Sequence, residues 1–197
     1  MPIHDEADLV DRVRAGLRDG GTPIRVAAPA RSAPAGPPAV RRPLDGVLSA
    51  RQAVRSYRPD PVPGDDLAAL LRSARSADAA AWSAAGPPGW APAARFVTAD
   101  DPPDLRSTLF RQYAAAPAIL LVGGDVAAAV DAMGLAGYRH ALLRASGFGY
   151  AAWLAAVALG LDGCVFGRAS ARANAAVREW FGGTHRHLFT VTIGAAR

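Results

Sequence analysis

The 197-residue chain is 51% hydrophobic and has a formal charge of +5, with all 22 basic side chains arginine and no lysine. That length and apolar content suffice for one substantial core, and the single cysteine, Cys164, excludes an internal disulfide or a cysteine-based metal cluster. The arginines are spread along the chain rather than clustered with aromatics, which argues against a nucleic-acid partner and leaves a phosphorylated cofactor or an acidic peptide to meet the charge.

His4, His140, His185 and His187 form no metal motif, since His185 and His187 are two residues apart and cannot share a helical face. The start His4-Asp5-Glu6-Ala7-Asp8 is acidic, unlike a secretory signal. No apolar run reaches the ~20 residues of a bilayer span. The expectation is a soluble, cytoplasmic protein with no membrane partner.

In chain order, Leu9, Val10, Val13 and Leu17 recur at helical spacing and Gly20-Gly21 closes the segment, so residues 1–21 read as a helical arm. Residues 22–43 hold six prolines among Ala, Arg and Gly and read as an extended linker. From residue 44 to 197 the texture is that of a packed domain. Leu44, Val47 and Leu48 open a helix expected to run into Arg51–Tyr57, until Pro59, Pro61 and Pro63 break it. Asp65 and Asp66 favour the start of a further helix whose stripe is Leu67, Leu70 and Leu71, ending near Arg75. Residues 76–93, with Trp82 and Trp90, read as a long surface loop.

Arg95–Thr98 reads as a strand, and Pro102-Pro103 starts a helix containing Leu105, Leu109 and Phe110. Pro117–Val122 is a continuous apolar run before Gly123-Gly124, the pattern of a buried central strand. A short alanine-rich helix follows over Asp125–Met133. Residues 138–159 give the longest helical segment, nearly apolar in its second half and closed by Gly160. Cys164–Phe166 is a short strand, residues 170–181 a helix with Ser170 as N-cap, and His187–Ile193 an alternating strand. The order predicts an α+β fold: a small mixed sheet surrounded by helices, with a long central helix.

Three of these places resemble the nitroreductase family of FMN proteins. Arg51-Gln52-Ala53-Val54-Arg55-Ser56-Tyr57 resembles the family's Arg-Arg-Ser-x-Arg-x-Phe segment. Leu154–Cys164 resembles its Leu/Ala-rich helix and Gly turn, and Leu188–Gly194 resembles its closing strand. Gly137–Ala145 is similar to the SagB-type azoline dehydrogenases of ribosomal peptide biosynthesis. The resemblance covers about residues 44–194.

The resemblance implies the nitroreductase-like fold, an FMN cofactor and a homodimer with the flavin at its twofold interface. It places the cofactor on Arg51, Gln52, Ala53 and Arg55, on the turn Val165, Phe166 and Gly167, and on Arg197, which is all the sequence offers of the family's basic tail. A guanidinium fork matches phosphate oxygens two at a time, and a backbone N–H near the flavin ring tunes its hydride chemistry. Gln52 and Ala53 replace the family's Arg-Ser pair, and residues 76–93 lack the Ser/Asn pair many members use. The lysine invoked in azoline dehydrogenases is absent, which leaves Tyr113, Tyr138 or His140 as candidate general base.

Three functions follow as alternatives. The first is dehydrogenation of azoline rings to azoles in a ribosomally made peptide, with a peptide substrate and a biosynthetic partner protein. The second is an NAD(P)H-dependent nitro or quinone reductase. The third is a degenerate flavin-fold subunit that binds or scaffolds a peptide without catalysis.

Overall fold

The structure is a computed structural model and describes residues 6–18, 42–82, 87, 89–167 and 170–197. The expected linker lies outside the described residues except for Arg42 and Pro43. The described elements are α1 (Glu6–Arg18), α2 (Leu44–Ala50), α3 (Gly64–Trp82), β1 (Ala93–Val97), α4 (Pro103–Gln112), β2 (Ala118–Asp125), α5 (Val126–Ala158), β3 (Asp162–Phe166), α6 (Ala171–Phe181) and β4 (His185–Gly194).

The strands form one sheet in the order β1-β2-β4-β3, every neighbouring pair antiparallel. Among the described residues, parallel pairing enters only at an isolated bridge between Ala53 and Gly163. β2 shows why its sequence is a continuous apolar run rather than an alternating one. Leu120 and Val122 face a core shared with α3 and α5, while Ile119 and Leu121 face a second core shared with α4 and α6. The sheet is therefore the middle of three layers, and its central strand is covered on both faces. β4 alternates as its sequence requires, with Val191 and Ile193 on the α5 side and Thr192 reaching across to Tyr57.

α5 joins the two helices read from the sequence across one break, at Gly134, whose φ of 56° and ψ of −137° no helix contains. Asp125 caps its start by accepting from Ala128 N at 2.9 Å. The later part lies directly on β4 because Gly149 has no side chain: a Cβ there would come within 2.5 Å of Phe189. By length and composition α5 could cross a bilayer, yet half of its most apolar window is buried in the fold. Its hydropathy is that of a core helix.

Two expected boundaries move. The first helix of the domain stops at Ala50 rather than running on to Tyr57, because residues 51–57 leave the helix to pair with β3 and the C-terminal segment. The helix expected to end at Arg75 continues to Trp82. Ala79, Ala80 and Ala81 have high helix propensity, and Asp78 is drawn inward by Arg144, with two oxygens at 2.8 Å from its Nε and Nη2. The long loop expected over 76–93 is thereby shortened. α1 lies on α5 through Leu9 against Val126 and Val130, and through an Arg12–Asp131 ion pair at 2.8 Å.

Candidate functional site

The segment from Arg51 to Tyr57 is extended and pinned at both ends. Val54 N donates to Gly163 O at 3.0 Å, and Arg197 N donates to Ser56 O at 3.2 Å. Tyr57 and Ala196 form an antiparallel bridge, supported by Arg58 N donating to Ala195 O at 2.9 Å. Tyr57 is buried: its hydroxyl donates to Val54 O at 2.5 Å and lies 2.7 Å from Thr192 Oγ1. Burial pushes its pKa up to about 12, so the phenol stays neutral and acts as an anchor for the segment rather than as a base.

With Tyr57 and Val54 turned inward, Arg51, Gln52, Ala53 and Arg55 are exposed. The parallel bridge of Ala53 to Gly163 sets residues 53–55 alongside the second half of β3. The Arg51 guanidinium stacks on Trp153 and Tyr150 of α5, 5.0 and 5.5 Å from their ring centroids. That of Arg55 lies 5.8 Å from the Phe166 ring. Arg197 Nε donates to Tyr57 O at 2.7 Å. Among the described residues none of these three arginines has a carboxylate partner. The arrangement is a strip of positive charge on an extended backbone, beside the half-buried Val165 and Phe166 and the exposed Gly167 that follows the last pair of the β3–β4 ladder.

The geometry thus brings together the eight residues expected to hold a cofactor, on two adjacent segments and at Arg197, three residues beyond β4. It does not bring together the three candidate bases. Tyr113 is fully buried between sheet and α6, edge-on to Phe166 at 5.4 Å. Tyr138 packs on the cluster of Leu9, Val126 and Val130 beneath α1. His140 is buried, edge-on to Trp82 and Trp90 at 5.0 and 5.9 Å. Burial, and then the neighbouring Arg144 cation, lower its pKa. Its neutral ring belongs to the joint between α3 and α5, where Arg144 also donates to Trp90 O and Trp90 Nε1 donates to Asp125 O at 2.7 Å.

Beside the strip opens a groove of about 440 Å3. Arg55, Ser56, Arg197, Phe110, Ala114 and Pro117 are among the residues that line it. Sequence reasoning missed it. Ala114 and Ala115 have positive φ, 61° and 50°, and nothing in an Ala-Ala-Ala-Pro stretch signals a left-handed turn, which glycine or asparagine would have marked. Tyr57, by contrast, occupies the aromatic position of the Arg-x-x-x-Arg-x-aromatic segment and was open to detection.

Solved structures share this architecture. An FMN-dependent nitroreductase from Clostridium difficile R20291 superposes with a TM-score of 0.53, covering 77% of this chain and 87% of that one at 19% identity. A nitroreductase family protein from Clostridium novyi NT gives a TM-score of 0.62 over 79% and 86% of the two chains at 12% identity. Nitroreductase A from Vibrio parahaemolyticus RIMD 2210633 gives 0.56 over 78% and 67% at 16% identity. The chain has the nitroreductase fold. No protein-family model matches it, and no curated protein matches it by sequence. The strip's donor set suits an FMN phosphate: guanidiniums of which Arg51 and Arg55 are seated on aromatic rings, none with a side-chain carboxylate partner among the described residues. The neutral Gln52 amide and the Ala53 methyl contribute no charge to it.

Proposed function

We propose that the chain is an FMN-dependent oxidoreductase holding its cofactor along the strip, with Arg51, Arg55 and Arg197 toward the phosphate and Val165–Gly167 beside the ring system. The observation that carries this is the cationic strip without carboxylate partners in a nitroreductase fold. Bound there, FMN supplies a two-electron acceptor and donor. The chain's part is to bind and orient it: the guanidiniums fix the anionic end, while the segment pinned by Tyr57 holds their spacing.

Two substrates divide the reading. Oxidation of an azoline ring to an azole in a ribosomally made peptide requires removal of a proton as well as a hydride, hence a base. Tyr138 and His140 pack in clusters away from the strip, and Tyr113, though edge-on to Phe166, is fully buried. Reduction of a nitroaromatic or quinone at the expense of NAD(P)H makes no such demand on the chain, and that observation favours the reductase. The azoline reading retains the support of the Gly137–Ala145 resemblance. A non-catalytic peptide-binding subunit is favoured only by Gln52 and Ala53. We also propose a homodimer. α2 packs on α5, and Leu44, Leu48, Leu142, Leu143 and Tyr150 are large apolar side chains these two helices leave exposed.

The test is the visible spectrum of the purified protein, followed by turnover of a nitroaromatic with NAD(P)H and of an azoline-containing peptide with oxygen. A yellow protein is expected, with Arg51→Ala and Arg55→Ala each weakening FMN roughly ten- to a hundredfold, the loss of a charge-assisted hydrogen bond. A colourless protein that FMN cannot reconstitute overturns the reading.

A further inference from the structure

Arg51 sits in a corner built by two rings of α5. Its guanidinium carbon lies 5.0 Å from the Trp153 ring centroid and 5.5 Å from that of Tyr150. The two rings stand at 84° to each other, with centroids 6.0 Å apart. Trp153 is 3% exposed and Tyr150 37%, so one ring belongs to the interior and the other is a wall open to solvent. A cation gains most over an aromatic face when the ring is that of tryptophan.

The interior ring is registered on the same residue as the strip's backbone. Gly163 O accepts from Val54 N at 3.0 Å, and Gly163 forms the bridge to Ala53. A Cβ on Gly163 would come within 2.6 Å of Trp153 Cδ1 and 2.8 Å of its Nε1, so the indole packs where a side chain would otherwise stand. The backbone beside Arg51 and the seat of its head group are thus set against one point of β3. Trp153 Nε1 is buried with no hydrogen-bond partner among the described residues. An unpaired buried N–H costs stability, a cost phenylalanine would not carry. No hydrogen bond of its Nε1 fixes the indole, and what the position uses is the ring. An arginine held in place before its anion arrives loses less side-chain freedom on binding.

We propose that Trp153 and Tyr150 are positioning residues, which hold the Arg51 guanidinium in its corner ahead of any ligand and act on that ligand through Arg51. This rests on the flavin reading for the anion, the FMN phosphate, and adds two residues of α5 that the reading does not use.

Two measurements on the full chain test the corner and its role separately. In the flavin-free protein the Arg51 Nε–H proton, assigned by its disappearance in Arg51→Gln, resonates upfield of an exposed arginine's because the ring currents shield it. It moves to the exposed value in Tyr150→Leu and toward it in Trp153→Leu. FMN binding then weakens about threefold in Tyr150→Leu and about tenfold in Trp153→Leu, while riboflavin, which lacks the phosphate, is bound as before. Tyr150→Phe, which keeps the ring, restores both the shift and the affinity. In an Arg51→Gln background neither ring variant weakens FMN further, whereas a merely structural loss would persist there. Tyr150 is half-exposed, so its variants keep the test readable if Trp153→Leu fails to fold. An Arg51 proton at the exposed value in the unaltered chain, equal losses for riboflavin, or losses undiminished in the Arg51→Gln background overturn the proposal. A shifted proton in a protein that takes up no FMN overturns the flavin reading and leaves the corner standing.

Discussion

Arginine is used in two opposite ways on two flanks of α5. On the α3 side Arg144 is buried and forked onto Asp78, with both oxygens at 2.8 Å, and its guanidinium lies 5.6 Å from the Trp90 ring. On the α2 side Arg51 sits over Trp153 and Tyr150 on the surface, with no carboxylate to receive it among the described residues. Both stack on aromatic rings, so stacking does not separate them; the partner of the charge does. A buried guanidinium without its carboxylate is untenable, whereas an exposed one seated on a ring remains available to an anion from outside. The difference marks the first arginine as part of the fold and leaves the second available to a ligand.

The strongest way to break that comparison is to remove each charge in turn. Arg144→Met leaves Asp78 buried and unpaired and is expected to cost about 3–5 kcal/mol, read by urea denaturation. The double variant Asp78→Leu/Arg144→Met should recover most of the loss, since well-packed apolar residues often replace a buried ion pair without penalty. Arg51→Met should alter stability by less than about 0.5 kcal/mol. Comparable losses at the two positions would dissolve the distinction.

Next in size is a pH effect confined to the buried side. His187 is buried in β4, its Nε2 at 2.7 Å from Thr190 Oγ1 and 3.1 Å from Phe189 O. Burial lowers its pKa from 6.5 to about 4. Between those values the unfolded chain binds the proton that the folded one refuses, so stability falls as pH drops from about 6.5 toward 4, by about 3 kcal/mol at the limit. His140, lowered in the same direction by burial and Arg144, steepens the fall. In His187→Gln the slope should become shallower over that window; an unchanged slope would remove His187 from the account.

What could be read from the sequence divides along the same line. Several elements were legible because their patterns are local: the apolar run of β2, the alternation of β4, and the Ser170 cap of α6, which accepts from Ala173 N at 3.3 Å. Arg51, Arg55 and the β3 turn were singled out because they occur in recognisable order, and the fold sets them side by side. The strip's conformation was not legible. Arg51–Tyr57 follows a helix and has helix-compatible residues, and only its pairing with Gly163 and Ala196, over 100 residues away, makes it extended. The same holds for Asp78, whose partner is 66 residues distant. Tyr113, Tyr138 and His140 were chosen by chemical type, and type says nothing of which layer a side chain enters. Three plausible bases therefore fell into three packed places.

The smallest effects come from two glycines of α5, one on each side of the comparison. Gly137 lies where the helix folds back at Gly134, and a Cβ there would stand 1.8 Å from Ala129 O, a backbone atom that cannot turn aside. Gly137→Ala should destabilise by about 1–3 kcal/mol, the usual range for overpacking. Gly147 is helical and exposed and has open space where a Cβ would be. Gly147→Ala should therefore stabilise the chain by about 0.5–1 kcal/mol. Gly147 also shares a helical face with Leu143 and Tyr150, at i−4 and i+3, both exposed. If a second copy covers that face, the added methyl meets the partner, and the gain seen at low protein concentration shrinks or reverses as concentration rises. A gain independent of concentration would place the twofold interface elsewhere, so unfolding measured at two concentrations tests the helix and the dimer with one substitution.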